Sequence, residues 1–236
     1  MSGNYEIHEL MVSRVAAEVD NDGVVVMGSF TPLAYASYML AKLTHARDVY
    51  IAGFDAVGMQ PIQLSFTGAE AAAYKGAVCR WGMLEEINSI HLSNNGSVEA
   101  VSSAQFDGSG AINLSVIGDF DKPKVRLPGG GGAPEIATSC GEIFIIMAQG
   151  KRSFVDKLDF ITSLGYGEGG DHRERLGVKT KGPTKLVTDL CIFEPDPVTR
   201  EMTVTSIHPG VTREQIQENT GWTVKYADKV AETPAP

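Results

Sequence analysis

The chain has 236 residues, of which 43% are hydrophobic and 21% charged, and its net charge at pH 7 is −9. Such a length and balance fit one α/β domain with a substantial core, placed here over residues 1–230 with a disordered tail over 231–236. The acidic balance excludes nucleic acid as main partner, since neutralising phosphates needs a basic surface; no apolar run approaches the ~18 to 20 residues that cross a bilayer, so no membrane is expected and a cytoplasmic location follows.

The cysteines, Cys79, Cys140 and Cys191, are odd in number, far apart and lack metal-ligand spacing, which reads as free buried thiols and no metal site. Residues 5–20 carry Ile7, Leu10, Met11, Val15 and Ala16 at near-helical spacing. Val24, Val25, Val26 and Met27 form a short apolar run without a polar position, as in a strand buried on both faces of a parallel sheet. Gly28 and Ser29 close it at what becomes a strand's C-terminal edge, where open α/β sheets bind ligands; a simple connection is the competing reading. Thr31 and Pro32 suit the N-cap and first turn of a helix over residues 33–43.

A second strand over 49–52 leads to Gly53 and Asp55, Asp55 being the carboxylate of the stretch 49–61. Residues 69–73 suggest a helical turn. Glu85 and Glu86 read as a solvated face, and His91 has no second ligand at zinc spacing. Residues 98–102 form a strand that runs into Gln105, Asp107, Gly108, Gly110 and Asn113. Asp107 and Asn113 are turn formers, whereas Gln105 is a candidate substrate contact.

Four consecutive glycines, Gly129, Gly130, Gly131 and Gly132, precede Ala133, Pro134 and Glu135. Without Cβ atoms they can take positive φ and expose N–H groups. If residues 133–137 open a helix, the run makes a nest of donors for a phosphate, carboxylate or thioester oxyanion; a tight structural turn is the alternative. An apolar strand over 143–147 follows, then Lys151 and Arg152, a glycine-rich loop at 165–170, and His172 between polar neighbours. Residues 187–193 read as one strand with an antiparallel neighbour over 202–207. Thr212 and Gln215 have capping-box spacing at a helix start.

Several of these segments occur together in one order: Gly118-Asp119-Phe120, Pro123-Lys124, the glycine run, Lys151-Arg152-Ser153-Phe154, Lys157-Leu158-Asp159-Phe160, Arg173-Glu174-Arg175-Leu176-Gly177 and Glu218-Asn219-Thr220-Gly221-Trp222. That order resembles the β subunits of class I coenzyme A transferases, most of all those of the glutaconate kind, over nearly the whole chain. The resemblance implies an open, mostly parallel sheet with helices on both faces, and an α subunit as partner with the active site between chains. It further implies acyl-CoA substrates, no bound cofactor beyond the coenzyme A of the substrate, and thioester contacts from Gly129 to Ala133.

In that family a strand-end glutamate becomes acylated and then carries CoA. Counting back from Pro61 places Gly53 at its position, and Asp55 is one methylene shorter and displaced along the chain. The missing carboxylate favours the chemistry of relatives that also lost it, a steroid ring-opening CoA hydrolase and a 3-methylglutaconyl-CoA decarboxylase. The decarboxylases place a cysteine there, whereas the nearest cysteine here is Cys79. Ring-opening hydrolysis of a CoA thioester is therefore the leading expectation. CoA transfer through Asp55 or a partner carboxylate, decarboxylation, and a catalytically silent subunit are the alternatives.

Overall fold

The run from Val24 to Met27, apolar at every position, forms the inner strand on which the rest of the sheet is built. The computed structural model of the protein describes residues 5–28, 31–53, 56–60, 74–82, 85, 89–90 and 96–236. The elements of the first half are α1 (Ile7–Ala16), β1 (Val24–Met27), α2 (Pro32–Thr44), β2 (Tyr50–Gly53), β3 (Ala56–Val57), β4 (Cys79–Arg80) and β5 (Val98–Val101). Two small hairpins follow: β6 (Gln105–Phe106) with β7 (Ile112–Asn113), and β8 (Val116–Gly118) with β9 (Pro123–Arg126). The second half holds α3 (Ala133–Ser139), β10 (Glu142–Ile146), α4 (His172–Arg175), β11 (Pro183–Val187), β12 (Cys191–Pro195), β13 (Met202–Ile207), α5 (Arg213–Glu218) and β14 (Lys225–Glu232).

Among the described residues the main sheet has ten strands in the order β14-β13-β12-β11-β10-β5-β1-β2-β3-β4. The central group β11, β10, β5, β1 and β2 is parallel throughout, and antiparallel pairs flank it on both sides. This is the expected mixed, mostly parallel sheet. Alternating side chains divide the core into two. Met11 and Val15 of α1 and Tyr38 and Ala41 of α2 pack with Val25, Ile51, Phe144 and Ile146 on one face. Ala137 of α3 and Ile216 of α5 pack with Ile143, Ile145, Leu186 and Phe193 on the other, as the period-2 direction of strand side chains requires. That second face also holds an aromatic group in which the Phe154 and Trp222 rings stack at 5.9 Å.

Several boundaries differ from those read in the sequence. The expected strand over 187–193 is two antiparallel strands, β11 and β12, because Thr188 Oγ1 accepts from the N–H groups of Leu190 and Cys191 and turns the chain. The expected disordered tail is a correction too. Ala231 pairs with Ser206 and Glu232 with Ile207, and Thr233, 1% exposed, donates its N–H to Ile207 O at 2.8 Å. The open edge of β13 supplies the backbone partners that the polar composition of the tail did not suggest. At α5 the capping box is present in both directions, Gln215 N to Thr212 Oγ1 and Thr212 N to Gln215 Oε1. The expected helical turn at 69–73 lies outside the described residues.

Candidate active site

Because the central strands are parallel, their C-terminal ends share one edge, and the glycines of β1 and β2 stand there. Gly53 has φ +141°. A Cβ on it would lie 2.9 Å from the Met27 carbonyl oxygen and 3.0 Å from Met27 Cβ. No side chain fits at this position unless the two paired strands separate. Gly28 is crowded in a different way: a Cβ there would stand 3.2 Å from Ala100 O and 3.3 Å from Glu99 Oε1. Its carbonyl accepts from Thr31 Oγ1 at 2.6 Å, so the hydroxyl expected to cap α2 fastens the end of β1 instead. Ser29 and Asp55 lie outside the described residues.

Glu99 is the residue that motif reading missed. It sits within β5, 3% exposed, in register with Val26 on one side and Ile143 on the other. Parallel strands covered on both faces are ordinarily apolar, so a lone acid inside Val98-Glu99-Ala100-Val101 was the available signal. Its charge is felt on both sides. Burial first, then Glu99, push the Cys140 thiol up to about 12, and the same causes in the same order hold the Tyr38 phenol well above its ordinary value. Cys140, whose thiol contacts the carbonyls of Ser97 and Glu142, is therefore an inert neutral group.

The glycine loop has the predicted openness. Gly129 and Gly131 take φ +104° and +50°, and nothing lies within 4 Å of a Cβ built on either. Gly130 instead packs its α-carbon against Thr162, whose Oγ1 accepts from Leu114 N at 2.9 Å. Gly129 N donates to Leu114 O and Ala133 N to Gly130 O. The N–H groups of Gly130, Gly131 and Gly132 donate to no acceptor among the described residues. The helix behind them spans only seven residues, so its dipole adds little and the backbone donors carry what attraction there is for an anion.

Gln105 is a brace. Its side chain is buried, with Nε2 donating to Asp159 Oδ2 at 2.8 Å and Oε1 accepting from Asn113 Nδ2 at 2.7 Å. Asp107 forms the expected turn, its Oδ1 accepting from Ser109 N and Ala111 N, and burial raises its carboxyl above the ordinary value. Lys151 and Arg152 are exposed, and His172 Nδ1 accepts from Glu168 N at 3.0 Å. Arg173 is a structural clamp that sequence reading left unassigned. It is 5% exposed and donates to the carbonyls of Gly165, Ala137 and Thr180, so it ties α3 to the glycine-rich loop before α4.

Of the cysteines, Cys140 and Cys191 are buried as expected, but Cys79 is exposed on the two-residue strand β4. Near it lies an apolar recess of about 330 Å³, lined by Ala52, Val57, Cys79, Trp81 and Ile90. Among the described residues no His, Cys, Asp or Glu cluster could hold a metal ion, and no helix is long and apolar enough to cross a membrane. Glu86 and His91 lie outside the described residues.

A mixed, mostly parallel sheet with glycines at its C-terminal edge and an open glycine loop beside a short helix defines an open-sheet α/β protein. Its sequence matches the profile described as "Coenzyme A transferase" over residues 8–219, and the chain belongs to that family. It is 47% identical to the β subunit of the 3-oxoadipate CoA-transferase of Pseudomonas knackmussii, covering 98% of this chain and 89% of that protein. It is 33% identical to the β subunit of the glutaconate CoA-transferase of Acidaminococcus fermentans, over 99% of this chain and 88% of the relative. The crystal structure of that organism's glutaconate coenzyme A-transferase superposes with a TM-score of 0.89 at 30% identity, covering 99% and 91% of the chains. A more distant relative, the IpdB chain of the cholesterol ring-cleaving hydrolase of Rhodococcus jostii, is 25% identical over 86% of this chain and 76% of its own length. The family and the β-subunit type implied by the motifs are thus established, while the weight shifts from the hydrolase relatives toward the transferases.

Proposed function

We propose that this chain is the β subunit of a heteromeric CoA-transferase that moves coenzyme A from an acyl-CoA to the carboxylate of a short dicarboxylic acid. The observation that carries this reading is the 47% identity to a 3-oxoadipate CoA-transferase chain over 98% of the sequence, against 25% to a ring-cleaving hydrolase chain. Both transferase relatives are named for dicarboxylic acids, which keep one carboxylate as an anion while the other is activated. The partner is an α-type CoA-transferase subunit, and acyl-CoA is the substrate, with no cofactor beyond its coenzyme A.

In this reading Gly130, Gly131 and Gly132 offer their N–H groups to the thioester oxygen as it gains negative charge, where preorganised donors lower the barrier. Gly28 and Gly53 let the neighbouring strands close on one another at the sheet edge. A second reading, hydrolytic C–C cleavage, draws on the side chain missing at Gly53.

One experiment separates the two. The chain is co-purified with its α partner and given 3-oxoadipyl-CoA in ¹⁸O water, with ¹³C-labelled 3-oxoadipate or glutaconate as acceptor. CoA on the labelled acid supports transfer. Solvent ¹⁸O in a cleaved product, with no CoA on either acid, overturns it in favour of hydrolysis. A Gly131→Val complex is expected to lose turnover by about 10²-fold or more if the loop serves the oxyanion.

A further inference from the structure

We propose that Thr162 is the positioning residue of the glycine loop: its methyl and its hydroxyl together fix where the N–H groups of Gly130, Gly131 and Gly132 stand, and through them it governs the rate of CoA transfer; this rests on the CoA-transfer reading. The observation behind it is the reason for glycine at position 130. Gly129 and Gly131 answer to their own backbone, with positive φ and open space around a Cβ. Gly130 does not take a positive φ, and the obstacle to a Cβ there is the Thr162 Cγ2 methyl, which it would overlap. A side chain distant in sequence thus decides how the loop lies.

Thr162 is itself held from elsewhere. It is 8% exposed, and its N–H donates to Ile112 O at 2.9 Å, beside the bridge between Ile112 and Ser163. β7 therefore fixes it independently of the loop. Its Oγ1 accepts from Leu114 N at 2.9 Å and lies 2.7 Å from Ser115 Oγ. The same two residues guide the chain into the loop, since Leu127 N donates to Ser115 O and Gly129 N to Leu114 O, each at 3.0 Å. Asn113, fully buried, locks this stretch, its Oδ1 accepting from Ser115 N at 2.9 Å and its Nδ2 donating to Val116 O at 2.6 Å. Past the contact with Thr162, the Gly130 carbonyl accepts from Ala133 N at 2.8 Å. The loop is pinned on both sides of the point where the methyl meets it.

A donor lowers the barrier when it already stands where the oxyanion will form. Glycines supply donors without stiffness, so the stiffness has to come from what they rest on. Removing the methyl opens space beside Gly130. Removing the hydroxyl takes the acceptor from Leu114 N, whose own carbonyl holds Gly129. A misplacement of about 1 Å costs about 10²-fold in rate. Because the loss falls on the chemical step, it lowers kcat and leaves KM nearly unchanged.

The test follows CoA from 3-oxoadipyl-CoA to ¹³C-labelled 3-oxoadipate or glutaconate in the complex with its α partner. Values of kcat and KM are compared for wild type, Gly130→Ala, Thr162→Ser, the variant carrying both changes, and Thr162→Val. Gly130→Ala is expected to lower kcat by about 10- to 10²-fold with KM within about twofold of wild type. Serine at 162 removes the overlap and keeps the hydroxyl; the nearest Thr162 atom to the new Cβ is then its own Cβ at 3.9 Å, an ordinary contact. The double variant should therefore return to within about threefold of Thr162→Ser alone, a rescue that a merely stabilising residue would not give. Thr162→Val, which keeps the methyl and loses the acceptor, should lose about tenfold in kcat. Additive losses in the double variant, a Gly130→Ala or Thr162→Val complex at wild-type kcat, or a raised KM at constant kcat overturn the assignment and leave CoA transfer standing. If Gly130→Ala alone does not assemble, the double variant decides: kcat near that of Thr162→Ser supports the role, and a further loss of about tenfold or more overturns it. Wild-type complex that moves no CoA to either labelled acid removes both conclusions.

Discussion

Replacing Gly53 by alanine tests whether this position can hold any side chain. The new Cβ would lie 2.9 Å from Met27 O and 3.0 Å from Met27 Cβ, on a backbone at φ +141°. Holding an L-residue in a sparsely populated region costs on the order of 1–3 kcal/mol. Forcing an extra methyl into a packed core costs about 1–3 kcal/mol more. Val26 and Ala52 are register partners in the middle of the sheet, so neither strand moves alone. The expected loss is therefore about 2–6 kcal/mol. Urea unfolding followed by circular dichroism reads it as a lower midpoint at unchanged slope. A Gly53→Ala protein within about 0.5 kcal/mol of wild type would refute the reasoning, because surface-like tolerance is incompatible with the contacts described. A Gly53→Glu protein that folds normally and gains transfer would do so more directly, by showing that the edge of β2 can hold the missing acid.

Arg173→Met should cost about 2–5 kcal/mol, since it strips donors from the buried carbonyls of Gly165 and Ala137; a loss below about 1 kcal/mol would mean that water replaces the guanidinium. His208 is 2% exposed, its Nδ1 2.8 Å from Thr233 Oγ1 and its Nε2 2.8 Å from Thr188 O, and burial lowers its pKa below the ordinary 6.5. The unfolded chain then binds a proton first, so this contribution to stability is present above 6.5 and is lost as pH falls through the lower folded value. Unfolding midpoints measured across that range should flatten in His208→Gln, and an unchanged slope would assign the pH dependence elsewhere. Thr212→Ala should cost about 1 kcal/mol through loss of the cap on α5, read as a fall in Tm of about 2–4 °C.

What could be read from the sequence was local. β1 was visible because its apolar residues are contiguous, and the start of α5 because Thr212 and Gln215 bond within one turn. The hairpin between β11 and β12 was hidden because Thr188 makes its turn with a hydroxyl, without glycine or proline to announce it. Cys79 was expected to be buried on the habits of its residue type, but burial depends on which strand ends up at an edge. Gln105 looked like a contact because it is polar beside a turn; Asn113 and Asp159, distant in sequence, are what use its amide. Glu99 was overlooked because its meaning comes from strand order: only when β5 lies beside β1 does an acid in an apolar run come to stand next to Gly28.

The two ends of the ten-stranded sheet guard the chain against pairing with its own kind. Any outermost strand presents unused amides and carbonyls to other molecules, and long smooth ones nucleate aggregates. Among the described residues the strand at one end, β4, is two residues long, too short to template an added strand. At the other, β14 is eight residues long but exposes Lys225, Asp228, Lys229 and Glu232 along its length, so an approaching strand meets charge at repeated positions. Removing β14 would uncover β13, whose Met202, Val204 and Ile207 are the kind of β-rich apolar residues that recruit neighbours. The closing segment of the sheet thus governs solubility as well as folding.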